Sequence, residues 1–114
     1  MGKNILLLER DKLFYKKVKN YFESFNYKVY FKDTDKAIEN FIDKNKINMI
    51  IISYQFYKEK TYFFLKRLRK IYNFSIILLS KSNDLSLRLK YFEIGIDDYL
   101  VKQIGVNSLF VIAK

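Results

Sequence analysis

The sequence predicts an α/β domain with a five-stranded parallel sheet and helices on both faces of that sheet. Short apolar runs of strand length recur along the chain, and stretches with helical spacing of apolar residues separate them. Continuous apolar strands are typical of parallel sheets, because helices cover both faces of such a sheet. The β-α order repeats about five times within 114 residues, an ordinary length for a single domain.

The first half of the chain contains three predicted strands. Residues 4–8 (NILLL) and 47–53 (INMIIIS) are continuous apolar runs, whereas residues 27–31 (YKVYF) alternate like a half-exposed strand. The first predicted helix has an apolar stripe of Leu13, Val18, Tyr21, Phe22 and Phe25. The second has an apolar face of Ala37, Ile38, Phe41 and Ile42, and its expected caps are Asp33, Thr34 and Asp35.

The second half continues the alternation. A third helix is predicted over residues 62–72, with Phe63, Phe64, Leu65 and Leu68 facing inward and Lys66, Arg67, Arg69 and Lys70 facing solvent. Residues 74–80 (FSIILLS) form the fourth predicted strand. A fourth helix, capped by Asn83 or Asp84, runs to Glu93, and Gly95 is suited to end it. Residues 97–101 form the fifth strand, and residues 106–114 begin a last helix.

Composition excludes several classes of protein. The chain has neither Cys nor His, so disulfides, thiolate metal sites and histidine chemistry are excluded. No apolar stretch is long enough to span a bilayer, and no signal peptide is visible, so we expect a cytoplasmic protein without a membrane partner. The formal net charge is +10, but the positive residues are mostly lysines spread along the chain, which is typical of a solvated surface.

Four strings carry a resemblance to a known family. They are NILLLERD, INMIIISYQFYKEKTYFFLKRLR, SIILLSKSND and FEIGIDDYLVKQ. The last is the most specific, since a Gly-x-Asp-Asp-Tyr motif followed by two apolar residues and a lysine is rare by chance. Together they resemble the response-regulator receiver domain of two-component signalling, in its transcription-factor branch. The resemblance spans essentially the whole chain and implies the flavodoxin-like (β-α)5 fold.

The family's chemistry requires an acidic pocket at the carboxyl ends of the strands. The resemblance implies an aspartate after the third strand that accepts the phosphoryl group, and two acids after the first strand that hold Mg²⁺. It also implies a hydroxyl after the fourth strand and a lysine after the fifth. In this chain those five positions are occupied by Ser53, Glu9, Arg10, Ser80 and Lys102.

Two of these positions depart from the family's pattern. Ser53 is a weak nucleophile, and no histidine exists to activate it. Arg10 repels a divalent cation instead of coordinating it. We therefore expect no metal, cofactor or enzymatic activity, with Glu9 paired to Arg10 or Lys102. Two alternatives remain: Lys102 as an anion ligand, which we favour less, and phosphorylation of a displaced acid, Asp11 or Glu59.

Two loops also depart from the pattern. Gln103 takes the place of the family's proline after the lysine, so we expect a trans Lys102–Gln103 peptide bond. In the loop after the third strand, Tyr57 replaces a proline and Thr61 replaces a glycine, so an altered conformation is expected there.

The resemblance implies an output face formed by the fourth helix, the fifth strand and the last helix. In this chain it would contain Arg88, Lys90, Tyr91, Glu93, Asp98, Tyr99 and Asn107. Tyr99 is either a switch rotamer or an exposed interface aromatic. The mixed charges of this output face suit a symmetric homodimer. The apolar side chains of Phe110 and Ile112 could add to the dimer contact.

We expect residues 1–114 to be the N-terminal part of a longer protein that controls an output domain, possibly DNA-binding, and so transcription. Its sensor kinase is unknown. The alternative is a stand-alone adaptor or basic nucleic-acid-binding module.

Overall fold

The computed structural model describes residues 3–102, which form one five-stranded parallel sheet with helices on both faces. The strands are β1 (Asn4–Leu8), β2 (Lys28–Lys32), β3 (Met49–Ser53), β4 (Ser75–Ser80) and β5 (Asp98–Val101). The α-helices are α1 (Lys12–Glu23), α2 (Ile38–Lys44), α3 (Tyr54–Tyr57), α4 (Thr61–Ile71) and α5 (Leu85–Glu93). The predicted fold class is confirmed.

The strand order is β2-β1-β3-β4-β5, and all neighbouring strands are parallel. The chain therefore reverses its direction of travel across the sheet between β2 and β3. At such a switch point the loops after neighbouring strands splay to opposite faces, and a crevice opens at the carboxyl ends. The residues that follow β1 and β3 lie beside this crevice.

The central strands β1, β3 and β4 bury both of their faces, which explains their continuous apolar runs, whereas the edge strands β2 and β5 are partly exposed. Leu6, Leu8, Ile50 and Ile52 pack with α2, α4 and α5 in one cluster. Their neighbours along the same strands pack with α1 in a second cluster: Ile5, Leu7, Met49 and Ile51. Because successive side chains of a strand point to opposite faces, one sheet divides these residues between two cores.

Two of the helices start at aspartate caps. Asp11 Oδ1 accepts from the backbone N–H groups of Leu13 and Phe14, and Asp84 accepts from that of Ser86. Asp84 is thus the cap of α5, one of the two residues predicted. The predicted caps of α2 are wrong: its N-cap is Ala37, in the left-handed region at φ 54°, with no side-chain hydrogen bond.

The segment between β3 and α4 is helical and strained. The short helix α3 follows β3 directly, and a 3₁₀ turn, Lys58–Lys60, leads into α4. Lys58 has φ 56° and ψ −126°, a conformation that side chains with a Cβ rarely adopt. Thr61 is fully buried, and its hydroxyl donates to the Tyr54 carbonyl oxygen at 3.4 Å.

Five predictions of side-chain direction are wrong. Phe25 of the first predicted stripe is 46% exposed beyond the end of α1, and Ala37 of the second helix face is exposed at the N-cap of α2. Leu13 was assigned to the apolar stripe of the first helix but is 73% exposed at the first turn of α1. Phe63, predicted to face inward, is 72% exposed on α4. Arg69, predicted to face solvent, is half-buried in hydrogen bonds to the chain before β4 and β5.

The last predicted helix, with Asn107, Phe110 and Ile112, lies outside the described residues, as does Gln103. Between residues 3 and 102 no helix has the length and apolar character needed to cross a membrane.

Candidate functional site

The carboxyl ends of β1, β3, β4 and β5 bring four polar side chains to one edge of the sheet. Ser53 and Ser80 end their strands, while Glu9 and Lys102 come directly after theirs. Glu9, Ser53 and Ser80 are buried. The Lys102 backbone N–H donates to the Ser80 carbonyl oxygen at 2.8 Å, which extends the ladder between β4 and β5 to the site.

Glu9 and Lys102 form a buried ion pair. Lys102 Nζ lies 2.9 Å from Glu9 Oε1 and 4.0 Å from Asp11 Oδ2. Glu9 Oε2 accepts from the backbone N–H groups of Arg10 at 2.9 Å and Asp11 at 3.2 Å. Oε1 has no well-aligned hydrogen-bond donor within residues 3–102, so its contact with Lys102 is close but electrostatic. Of the two expected partners of Glu9, the structure brings Lys102 to it.

The Arg10 side chain leaves Glu9 and binds the neighbouring loops. Its guanidinium donates to the carbonyl oxygens of Asp33 at 2.6 Å and Phe56 at 3.2 Å. It also lies 4.9 Å from the centroid of the Phe56 ring. The expectation that Arg10 pairs with Glu9 through its side chain is therefore wrong: a planar guanidinium can satisfy two loop carbonyls and stack on a ring at once.

This donor set does not fit a magnesium ion. Mg²⁺ requires oxygen ligands in near-octahedral geometry. Of the two carboxylates at the site, Glu9 is paired with Lys102, and Asp11 caps α1. Residue 10 contributes a guanidinium to this edge. In the described part of the chain, no three acidic side chains lie together in a group that could hold a metal.

Ser80 and Tyr99 are joined through the loop after β4. Ser80 Oγ accepts from the Ser82 backbone N–H at 3.1 Å, and the Tyr99 hydroxyl donates to the Ser82 carbonyl oxygen at 2.9 Å. The Tyr99 ring is buried, with the Arg88 guanidinium 5.5 Å from its centroid. The alternative of an exposed interface aromatic at Tyr99 is therefore wrong.

A second expected interface aromatic is also inside the protein. Tyr91 is buried between α4 and α5, with its ring centroid 5.8 Å from that of Tyr62. Burial, reinforced by the nearby hydroxyls of Tyr54, Tyr99 and Tyr62, raises the pKa of Tyr91 to about 12. Tyr91 is thus a core residue, and its assignment to the surface of the output face is wrong.

The remaining residues of the predicted face have local partners or face solvent. Arg88 donates to Asn83 Oδ1 at 3.0 Å, and Lys90 Nζ lies 4.6 Å from the Tyr62 ring centroid. Asp98 accepts from the Tyr99 backbone N–H at 2.7 Å, and Glu93 is exposed.

Sequence reasoning missed an apolar stripe on α5. Leu85, Leu89 and Phe92 are exposed on this helix. They follow one another at intervals of four and three residues, which is the spacing of one helix face. That spacing was the available signal, and it marks a second stripe beside the inward residues Leu87 and Tyr91.

Sequence reasoning also missed a network at the opposite edge of the sheet. Arg69 donates to the carbonyl oxygens of Gly95 at 2.8 Å and Phe74 at 2.8 Å, and to Asp97 Oδ2 at 2.8 Å. Asp97 Oδ2 also accepts from the Ile76 backbone N–H at 2.7 Å. Gly95 has φ +100°, and a Cβ there would lie 3.0 Å from Arg69 Cγ. The network therefore needs glycine at that position.

Comparison with known proteins defines the class. The family model for the response regulator receiver domain matches residues 5–114, so the chain belongs to this family. It is a receiver domain of two-component signalling. The sequence is also similar to the response regulator protein GraR of Staphylococcus haemolyticus, with 24% identity over 105 residues. That match covers 92% of this chain and 47% of GraR, so the chain spans about half the length of this curated relative.

Solved structures agree on the fold. A two-component response regulator from Clostridium difficile superposes with a TM-score of 0.89 at 21% identity, covering 99% of this chain and 93% of that one. A response regulator from Thermotoga maritima superposes with a TM-score of 0.87 at 18% sequence identity, covering 100% of both chains. An orphan response regulator of H. pylori superposes with a TM-score of 0.82 at 17% sequence identity, covering 97% of this chain and 91% of that one.

Proposed function

We propose that this receiver domain signals without aspartyl phosphorylation and is not an enzyme. The observation that carries the proposal is the pairing of Glu9 with Lys102 beside Ser53, the residue that ends β3. In this reading Ser53 stands where the family's phosphoacceptor would be. The lysine that would contact a phosphoryl group is already held by an internal carboxylate.

The chemistry of the pocket supports this reading. Phosphoryl transfer to a receiver is mainly a matter of positioning and of neutralising the charge on the transferred group. A serine hydroxyl needs a general base, and Glu9, which the strand register places beside Ser53, is paired with a cation. With Arg10 at the second acidic position, the divalent cation that would neutralise the phosphoryl oxygens has no site.

Internal cations would replace the phosphoryl group as the link between the loops. Lys102 connects the end of β5 to the residue after β1, and Arg10 connects that same loop to the residues after β2 and in α3. These contacts depend on no kinase. We therefore propose that the domain is held in one state and is regulated by its partners, with no part for its own phosphorylation.

The proposed output is a homodimer formed through α5, β5 and the last helix, acting on an attached or separate output domain. The exposed stripe of Leu85, Leu89 and Phe92 supports self-association, because it adds apolar area to a face that also contains Arg88 and Glu93. The match to 47% of GraR supports the proposal that residues 1–114 are the receiver of a longer protein, for which we also propose a cytoplasmic location. A DNA-binding output and control of transcription are the corresponding functional proposals.

The test is incubation with acetyl phosphate and Mg²⁺, followed by intact mass measurement. We expect no phosphoryl adduct on the wild-type chain. The matched control is the double variant Arg10→Asp/Ser53→Asp, which restores both acids and should gain one phosphoryl group. A stoichiometric adduct on the wild type would overturn the proposal, and its loss in Asp11→Asn or Glu59→Gln would show which displaced acid accepts it.

A further inference from the structure

A groove between α2 and α4 lies outside the site described above. It is lined by Asp35, Tyr57, Lys60, Phe63, Phe64 and Arg67 and has a volume of ≈ 530 Å³. We call it the α2–α4 groove. A smaller concavity of ≈ 280 Å³ adjoins it toward α2 and shares four of these residues. Neither Glu9, Ser53 nor Lys102 lines it, so it does not depend on the state of the pocket.

The groove is aromatic where it meets α4. Phe64 and Tyr57 pack at 4.6 Å between ring centroids and are half-buried, and Phe63 beside them is 72% exposed. Because Phe63 continues the half-buried rings of Phe64 and Tyr57, the three side chains form a contiguous aromatic surface, and such surfaces mark interaction sites. The Phe63 ring also contacts the Tyr62 ring edge-on at 5.3 Å, so it is supported from one side.

Charge around the aromatic part is strongly positive. Residues 57–71 contain six basic side chains and one carboxylate, Glu59. Arg69 is consumed by the network with Asp97, and Arg67 pairs with Glu39 of α2. Lys60 is exposed in the 3₁₀ turn before α4 and lines the groove, while Lys66 and Lys70 are exposed on α4 three and seven residues after Phe63. Since the groove has this basic rim, an occupant with acidic residues beside an apolar side chain would complement it.

The opposite rim decides which class of molecule fits. Asp35 lines both concavities, and Glu39 lines the one toward α2. Glu39 is already paired with Arg67, so Asp35 supplies the negative charge on this rim that would repel the phosphates of a nucleic acid or of an anionic lipid surface. A peptide can meet both rims, because it can place acids near Lys60 and neutral donors near Asp35.

We infer that the α2–α4 groove binds an acidic segment of a partner protein, which inserts one large apolar side chain beside Phe63 and Phe64. Its acidic residues contact Lys60 and Lys66. The half-buried ring of Tyr57 forms the inner wall of the groove beside Phe64. The groove is thus a second interaction surface, separate from the face made by α5 and β5.

The test selects a random peptide library on the full chain and on three variants in parallel. Phe63→Ser removes the aromatic wall, and Lys60→Glu reverses the basic rim. Leu13→Ser is the matched control, because Leu13 is 73% exposed on α1, at the other face of the sheet. We expect the wild type and Leu13→Ser to enrich the same acidic peptides with one large apolar residue. Phe63→Ser and Lys60→Glu should each bind these peptides at least about tenfold more weakly than the wild type does.

A synthetic copy of an enriched peptide then locates the site. We expect it to shift the amide NMR signals of Tyr57, Phe63 and Phe64. The inference is overturned if no acidic peptide is enriched, if Phe63→Ser binds the peptides as the wild type does, or if the shifts fall elsewhere. Tighter binding of a DNA duplex or of phosphatidylglycerol vesicles at these amides would also overturn it.

Discussion

The two edges of the sheet use buried cations in different ways. At the amino edge, the Arg69 guanidinium donates to three backbone carbonyl oxygens and to the Asp97 carboxylate. At the carboxyl edge, Lys102 meets Glu9 at 2.9 Å, yet Glu9 Oε1 lacks a well-aligned donor among the described residues. The amino edge is built as a structural clamp of many hydrogen bonds, whereas the carboxyl edge holds a single close pair of opposite charges.

The largest effect expected from this comparison is at Lys102. Replacing it by methionine leaves the Glu9 carboxylate buried without its cation, and breaking a buried pair from one side costs about 3–5 kcal/mol. The free energy of unfolding in urea measures this loss. Glu9→Gln/Lys102→Met should recover most of it, and exposed Lys81→Met should change stability by about 0.5 kcal/mol or less. Unchanged stability in Lys102→Met would break the comparison.

The second effect tests the clamp at the amino edge. Arg69→Lys keeps the charge but loses the planar fork, so carbonyl acceptors are left unpaired at a cost of about 2–3 kcal/mol. Arg67→Lys is the matched control on the same helix, because its ion pair with Glu39 is exposed and contributes about 0.5 kcal/mol. Equal losses in the two variants, measured by urea unfolding, would show that Arg69 is no clamp.

A smaller change in stability, this time a gain, is expected on replacing Lys58, which lies beside the carboxyl edge. Lys58→Gly removes the Cβ from a residue at φ 56° and ψ −126° and should stabilise the chain by about 1 kcal/mol. Lys60→Gly is the control, because Lys60 has φ −77° and glycine there should destabilise by about 0.5–1 kcal/mol. Thermal unfolding of both variants shows whether each one gains or loses stability. Destabilisation by Lys58→Gly would contradict the inference that the Lys58 backbone is strained.

The last predicted effect on stability concerns Tyr91 and appears only at alkaline pH. Tyr91 lies in the core between the edges, where burial raises its pKa to about 12, above the value of 10.0 in an unfolded chain. The unfolded state therefore releases the proton first, and stability falls as the pH rises from 10 to 12. Tyr91→Phe should make the slope of a stability-against-pH curve shallower over this range without abolishing it, because the pKa values of Tyr57 and Tyr72 are also raised to about 12. A slope identical to that of the wild type would contradict the assignment.

The sequence pattern predicted the sheet well because β1, β3 and β4 are buried on both faces and therefore read as continuous apolar runs. Residues 4–8 were predicted as a strand, and the structure gives β1 the same bounds. Helix faces were harder, since one apolar residue in a helix can turn outward where the sheet offers no room, as Leu13 and Phe63 do. The Arg69 clamp depends on carbonyl groups brought from Phe74 and Gly95, which no local pattern contains.

The site was predicted in part for a similar reason. The β-α order places Glu9, Ser53, Ser80 and Lys102 at one edge, and the pairing of Glu9 with Lys102 was one of two expected outcomes. The direction of the Arg10 side chain depends on the Asp33 and Phe56 carbonyls, whose positions only the folded loops determine. Tyr91 and Tyr99 are buried because α5 packs closely on β4 and β5, a distance the sequence does not encode locally.

The most direct test of the neutralised pocket is a Mg²⁺ titration of the wild-type chain followed by the amide NMR signals of Arg10 and Asp11, whose N–H groups donate to Glu9. With Glu9 held by Lys102, we predict no saturable shift in the wild type and a clear one in Arg10→Asp/Ser53→Asp. A saturable wild-type shift at these two amides, as strong as that of the variant, would contradict the account.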